Sequence, residues 1–486
     1  MGIDEYINTS FKPIADTASA IVFYAVPIGG GQELKLILLW LALAALFFTI
    51  YLGFINVRYF GKAVHILFKS GFKKTDGEIT QFQALMASLS GTVGLGNISG
   101  VAIAISTGGP GAAFWMTVMG FLGMSSKFTE VMLGVKYRTH PAIEHPEKIS
   151  GGPMYYIRAA FECYNLPKLG AFVAGIFAAF CILGAIGGGN MYQANQVFAQ
   201  IIASTGGADV SQFANKGWVI GLVLAFLVGA VIMGGLKSIA SVASKLVPAM
   251  AAIYIISGLI VILMHATNVP SAFVTIITQA FSLKAGIGGL LGCILIGAQR
   301  AAFSNESGLG SAAIVQSTTN SGGPVATGMV AMLGPFIDTI VICNVTALVI
   351  VISGAYMDAN GMEGVELTSR AFETGIPYFS YILSVSVLLF AYSTMIAWYY
   401  NGAICVRYLF GERDQVEAVF KVFYCICVVI GCSATLDNLM NFTDAAFLSL
   451  ALPNIIGLYL LAPEVKADLK AYILAEKEKE SQNISG

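Results

Sequence analysis

At 486 residues the chain could hold two or three soluble domains, but 57% hydrophobic against 11% charged residues leaves too little polarity for a water-facing surface. A net charge of −1 with no basic stripe excludes a nucleic-acid partner, which needs a phosphate-neutralising face of Lys and Arg. Lipid is the solvent that this composition fits.

Along the chain, the first 33 residues carry Asp4, Glu5, Asp16 and Glu33 against Lys12, so no basic start, short apolar stretch and cleavage site can be assembled, and no removable signal peptide is expected. A bilayer crossing needs about 20 mostly apolar residues. Eleven such runs follow, at 34–57, 80–107, 111–135, 170–204, 217–236, 241–264, 286–314, 324–354, 377–406, 416–433 and 439–461. The expected fold class is therefore an all-α integral membrane protein with about 11 transmembrane helices, its surroundings membrane lipid. The Glu/Lys-rich tail after Pro463 reads as a solvated helix. The eight cysteines fall mostly inside apolar runs without C-x-x-C spacing, which predicts buried thiols. His65, His140, His145 and His265 are too scattered for a metal site, and no cofactor is expected.

Lys and Arg favour cytoplasmic loops. With eleven spans and the amino end outside, 19 of the 26 fall inside, in 58–78, 136–168, at Lys237 and Lys245, around Arg407 to Lys421, and in the tail. Lys12, Lys35, Lys216, Lys284 and Arg370 fall outside. The expected placement is a multi-pass cell-membrane protein with its carboxyl end in the cytoplasm.

The sequence also repeats. Ser90, Gly94, Leu95 and Gly96 recur 214 residues later as Ser304, Gly308, Leu309 and Gly310, and Gly108, Gly109 and Pro110 recur as Gly322, Gly323 and Pro324. Five spans separate the copies, and an odd number inverts the second relative to the first. Inverted repeats with discontinuous helices hold substrate and ions near the bilayer midplane. Each glycine costs a helix about 1 kcal/mol, so the spans can open at Gly94–Asn97 and Asn305–Gly310. Opening leaves backbone groups unpaired in hydrocarbon, where a ligand must satisfy them. Freed N–H groups attract a carboxylate, and freed carbonyls attract a cation or an ammonium. A zwitterion with Na⁺ suits both. The plainer alternative is close helix packing at small residues, which two matching clusters make less attractive.

Polar groups inside the spans extend the picture. Asn190, Gln193 and Asn195 follow Gly187–Gly189 and must face the bundle interior; they could bond only to other helices, but Gln193 also offers the donors and acceptors a zwitterion needs. Ser393 and Thr394 could bond back to the preceding turn or offer hard oxygens to Na⁺. Trp398 shares the face of Thr394 and either walls a pocket or packs on a neighbouring helix. Asp338 is an intramembrane acid whose partner could be Arg300 or backbone amides. Lys127 and Glu130 read as a local pair near a helix end.

Taken together, GTVGLGNISG (Gly91–Gly100), GGPGAAFWMTVMG (Gly108–Gly120), GGPMYYI (Gly151–Ile157), GNMYQAN (Gly189–Asn195), FSNESGLGS (Phe303–Ser311) and FIDTIVIC (Phe336–Cys343) resemble the alanine or glycine:cation symporters. The signature departs at Ala113 and Thr117. The family's YYGE is replaced by Tyr399, Tyr400, Asn401 and Gly402, so the role of that acid has no counterpart. The resemblance implies a LeuT-type 5+5 inverted repeat preceded by one extra helix: 1–78 as tail, extra helix and loop, 79–265 and 266–462 as the two repeats, and 463–486 as the cytoplasmic tail. It implies a substrate site of Thr92, Gly94, Leu95, Gly96, Asn97, Gln193, Phe303, Asn305, Gly308, Thr394 and Trp398. In it the Leu95 and Gly96 amides hold the carboxylate, carbonyls near Thr92 and Phe303 with Gln193 hold the ammonium, and Phe303, Thr394 and Trp398 leave room for a methyl or a hydrogen. It implies a sodium site from the carbonyls of Ser90 and Val93 and the hydroxyls of Ser393 and Thr394.

The function expected is Na⁺-driven import of alanine or glycine by alternating access. A carrier of the same fold driven by H⁺ would use Asp338 or Glu306. An intramembrane enzyme would need a nucleophile and base on facing helices, and neither a mid-span His nor HExxH is present. A channel would have little use for an inverted repeat.

Overall fold

A computed structural model describes residues 2–29, 32–70, 79–139, 149–207, 209–282, 286–319, 322–358 and 362–485. Lys73, Lys74, Lys148, Lys284, His140 and His145, used in the sequence analysis, lie outside them. Each of the eleven apolar runs contains helix, with 80–107 and 286–314 broken and the first residues of 34–57 in a strand. Among the described residues, six helices are long and apolar enough to cross a bilayer, and the bent pair Gln81–Thr92 and Leu95–Gly108 makes a seventh; Leu36–Tyr51 and Gly217–Ile232 are apolar but shorter. Large apolar side chains such as Leu222, Phe226, Ile256, Leu263, Val385 and Val422 stand exposed on helix exteriors, as lipid-facing surface requires.

The interior is closely built around small residues. The long helix Gly111–Lys136 runs through the centre, where a Cβ on Gly120 would lie 2.7 Å from Thr339 Cγ2 and one on Gly328 would lie 2.8 Å from the Phe128 carbonyl oxygen. Such contact lets backbones approach to van der Waals distance in lipid, where apolar burial supplies no force between helices. The extra helix Leu36–Tyr51 joins this centre through Thr49 Oγ1, which donates to the Leu122 carbonyl at 3.1 Å.

Two helices are locally widened to π geometry, at Gly187–Met191 and at Phe336–Cys343. A π turn breaks the i→i−4 ladder within a continuous helix and is common at functional sites. Phe336–Cys343 carries Asp338, and the helix just past Gly187–Met191 carries Gln193; both side chains reach a broken span.

Three regions differ from the sequence expectation. The acidic amino end forms a helix, Ile3–Val22, followed by the strand pair Ala25–Gly29 and Gln32–Lys35. That helix is too polar to register as a span, and it is held by distant loops: Asp4 accepts from the Gly217 and Trp218 amides, and Asn8 Oδ1 accepts from Thr435 and Asn438. The tail is one helix with its last span, Ala451–Ser485, and its first turns are docked rather than solvated. Lys136 pairs with Glu464 and Asp468, Lys62 lies 3.2 Å from Glu476, and Val465 and Leu469 are buried. Lys127 and Glu130 are both buried toward the carboxyl end of Gly111–Lys136, and no ion pair joins them among the described residues.

Candidate functional site

Gln81–Thr92 begins with a reciprocal cap: Thr80 Oγ1 accepts from the Gln83 amide at 3.1 Å while Gln83 Oε1 accepts from the Thr80 amide at 3.0 Å. The helix stops at Val93–Gly94, turns once through Leu95–Asn97, and resumes as Ser99–Gly108 bent by 60°. Of the amides freed at the turn, that of Gly94 donates to Asn97 Oδ1 at 3.0 Å and to the Thr92 carbonyl at 2.9 Å, and that of Leu95 to Gln193 Oε1 at 3.1 Å. Gln193 also donates through Nε2 to the Gly188 carbonyl at 2.9 Å. Gln193, in the helix Tyr192–Ser204 just past the π turn, therefore reaches the break, and its oxygen occupies one of the two amides assigned from sequence to a carboxylate.

The glycines at the break are enclosed. A Cβ on Gly94 would strike Thr394 Oγ1 and lie 3.2 Å from Gln193 Oε1; one on Gly96 would lie 3.1 Å from the Phe303 ring and 3.4 Å from its carbonyl oxygen. Trp398 is fully buried, fills the space left by Gly189, and lies 3.7 Å from where a Gly91 Cβ would be. Phe447 stacks on Trp398 at 4.8 Å and leans on Phe303 at 4.9 Å, closing an aromatic wall that the sequence reading missed. Its position in an apolar run offered no signal.

The proposed sodium residues also meet. Ser90 Oγ donates to the Ser393 carbonyl at 2.7 Å, across two helices. Ser393 and Thr394 hydroxyls each donate to the Phe390 carbonyl, at 2.9 and 3.0 Å. That is the back-bonded arrangement common in membrane helices, and it consumes their protons while leaving oxygen lone pairs available. Val93, with φ −75° and ψ 80°, has left the helix just beyond Thr92.

The second break is organised differently. Gly286–Asn305 ends, Glu306, Gly308 and Gly310 take left-handed φ of 56°, 89° and 81°, and Ser311–Gln316 begins. Asn305 and Gly308 do not join the pocket. Asn305 donates to Thr339 Oγ1 and accepts from the Ser307 amide, each bond closing its own turn or the neighbouring helix. Gly308 faces Leu41 and Ile455, and its carbonyl accepts from Asn454 Nδ2 at 2.8 Å. The Gly310 amide donates to Glu130 Oε1, which also accepts from Asn454. Glu306 points back toward the first break, accepting from Trp398 Nε1 at 2.9 Å and from Ser311 Oγ.

Asp338 is paired with neither Arg300 nor backbone amides. Its Oδ1 accepts from Asn97 Nδ2 at 2.9 Å, Ser304 Oγ at 2.5 Å and Thr339 Oγ1 at 2.8 Å, which ties the two breaks together through one carboxylate. Arg300 instead pairs with Asp444, both buried. Asp444 lies within the run 439–461, and the intramembrane-acid rule that flagged Asp338 applies to it equally.

Comparison with known proteins agrees with this architecture. The Sodium:alanine symporter family matches over residues 28–485. The sodium/alanine symporter AgcS of Methanococcus maripaludis is 37% identical over 88% of this chain and 92% of its own length. From Bacillus subtilis, the amino-acid carrier protein AlsT is 34% identical over 89% of this chain and 88% of its own length, and the probable sodium/glutamine symporter GlnT is 31% identical over 91% and 89%. Among solved structures, that of MhsT in complex with L-phenylalanine superposes with a TM-score of 0.52 over 82% of this chain and 99% of that one, at 13% identity, a likeness of fold alone.

Proposed function

The chain belongs to the sodium:alanine symporter family, a family of transporters rather than enzymes, and from that premise of a sodium-coupled amino-acid symporter we propose that its substrate is alanine or glycine, held at the break Gly94–Asn97. The observation that carries this reading is the enclosure of Gly94 and Gly96. Gln193 and Thr394 lie against Gly94 and Phe303 against Gly96, so that a bound amino acid has backbone to touch on one side and little room for a side chain on the other. The Leu95 amide is held by a neutral amide oxygen, which a substrate carboxylate can replace at modest cost because a charged acceptor makes the stronger bond. Gln193, once released, has an oxygen to accept from the ammonium.

Sodium sits, in this reading, among the Ser90 and Val93 carbonyls and the Ser393 and Thr394 hydroxyls. It bridges the end of Gln81–Thr92 to the helix Phe379–Phe410 and so favours the conformation that binds substrate, which is what coupling requires. Alternating access follows by rocking of one helix bundle against the other around this fixed site. A cytoplasmic carboxyl end and an outside amino end belong to the same reading, supported by the bias of Lys and Arg toward one set of loops and the tail.

The test is labelled alanine uptake into proteoliposomes with and without an inward Na⁺ gradient, with unlabelled glycine and glutamine as competitors. Gradient-dependent uptake blocked by glycine and untouched by glutamine is the expected result. Equal uptake without the gradient removes sodium coupling, and strong competition by glutamine removes the small-substrate assignment.

A further inference from the structure

A small cavity of about 10 Å³ lies one to two turns from the sodium residues, between 87–91, 306–315 and 397–401. That volume is at the lower limit for one water-sized guest. Its polar lining is oxygen-bearing: Ser88, Gly91, Glu306, Ser311 and Asn401, with small apolar side chains completing the wall. Asn401 is 4% exposed and its Oδ1 has no hydrogen-bond partner. Ser311 Oγ spends its proton on Glu306, so what remains on that hydroxyl is lone pairs. Gly91 sits in the last turn of its helix, where carbonyls run out of intrahelical donors. A buried site rich in acceptors, with one carboxylate and an orphaned carbonyl oxygen, has the chemistry of a hard monovalent cation.

Charge points the same way. The buried charged side chains among the described residues are Lys127, Arg300, Glu130, Glu306, Asp338 and Asp444. Arg300 and Asp444 cancel as a pair. The remaining three carboxylates face one ammonium: Lys127 acts on both Glu130 and Glu306, and Asp338 adds its field at Glu306. Lys127 Nζ makes no hydrogen bond and does not line the cavity. In a low-dielectric interior an excess of negative charge has to be neutralised, by protons or by cations. The sodium residues at Ser90 and Ser393 account for one cation; the cavity supplies a place for another.

We propose that this cavity is a second Na⁺ site, formed by Glu306, Asn401, Ser88 and Ser311 and resting on the sodium-coupled reading above. Glu306 also holds the indole of Trp398. A cation there would draw 87–91, the second break and the helix bearing Trp398 toward one point, setting the substrate wall before substrate arrives.

The test is equilibrium binding of radiolabelled Na⁺ to the purified full-length chain in nanodiscs, without substrate. The wild type is expected to bind about two ions per chain, Asn401→Leu about half as many, and the Ser393→Ala/Thr394→Ala variant also about half as many. Asn401→Asp, which adds a carboxylate where the orphaned oxygen stands, should bind the second ion several-fold more tightly, a gain that a merely structural asparagine would not give. A wild type that binds about one ion, lost in Ser393→Ala/Thr394→Ala and untouched by either Asn401 variant, overturns the second site and leaves the first: the cavity then holds water, or Glu306 a proton. Binding lost in no variant, or absent from all, overturns both.

Discussion

The two broken helices share a glycine spacing and come apart in opposite ways. At the first, no residue from 92 to 98 takes a positive φ, and the freed Gly94 and Leu95 amides rest on neutral side-chain oxygens from Asn97 and Gln193. At the second, three residues are left-handed, the Gly310 amide is held by the Glu130 carboxylate, and Asn454 clamps both that carboxylate and the Gly308 carbonyl. Charge-assisted bonds are roughly twice as strong as neutral ones. In the reading proposed above, the first break exchanges these partners with the substrate, whereas the Gly308–Gly310 part of the second is held as a fixed turn and only Glu306 and Ser311 turn toward the cation cavity. Identical sequence spacing sets where a helix opens; the neighbours decide whether the opening is a site or a joint.

If the second break is a joint, damage there should cost stability rather than affinity. Gly310→Ala combines a left-handed conformation with a Cβ placed 2.5 Å from Pro153 and 2.9 Å from Asn454. A loss of about 2–5 kcal/mol is expected from the backbone and overpacking terms together, seen as loss of the monodisperse peak in fluorescence-detected size-exclusion chromatography. A normal peak with weakened alanine binding would make the two breaks alike. Glu130→Gln is milder. It keeps an acceptor for Gly310 and Asn454 but neutralises it, so a fall of about 1–2 kcal/mol is expected, read as a lower melting temperature with alanine affinity close to wild type.

Gly96→Ala should do the reverse. Its Cβ would press on the Phe303 ring at 3.1 Å, a contact the ring can relieve by shifting a few tenths of an ångström, so folding survives while the backbone surface offered to substrate is covered. An alanine Kd raised about tenfold, or about 1.4 kcal/mol, with an unchanged melting temperature is the expected result by scintillation proximity binding. Wild-type affinity would show that substrate does not touch this backbone.

The breaks themselves were legible because glycine and proline punctuate apolar runs for reasons local to the chain, and the positions of Gln193, Thr394 and Trp398 around them followed from family motifs. What escaped was every pairing set by tertiary contact. Asp338 was given the wrong partners because nothing in the spacing says that Asn97 and Ser304 converge on it, or that Arg300 is taken by Asp444, 144 residues away. Lys127 and Glu130 read as a local pair because they stand three residues apart on one helix, whereas Glu130 turns to the Gly310 amide and to Asn454. The docking of Ile3–Val22 by Asp4 and Asn8 was invisible for the same reason: its anchors lie 213 and 427 residues further on.

The smallest expected effect is the finest test of the exchangeable break. Thr394 Oγ1 gives its proton to the Phe390 carbonyl at 3.0 Å and turns its lone pairs toward Gly94. Thr394→Ala removes one oxygen from the proposed sodium cage but leaves the Ser90 and Ser393 contact, which does not depend on that hydroxyl. Losing one of several ligands to a partly hydrated monovalent ion should cost under about 1 kcal/mol, so the Na⁺ concentration for half-maximal uptake should rise about threefold. Thr394→Ser keeps the oxygen and should match the wild type. The same substitution also opens space beside Gly94, so a threefold change in alanine affinity with an unaltered Na⁺ requirement would assign Thr394 to the substrate wall alone. A rise in both, coupled so that saturating Na⁺ restores alanine affinity, is what a residue shared between ion and substrate predicts, because linked binding is reciprocal.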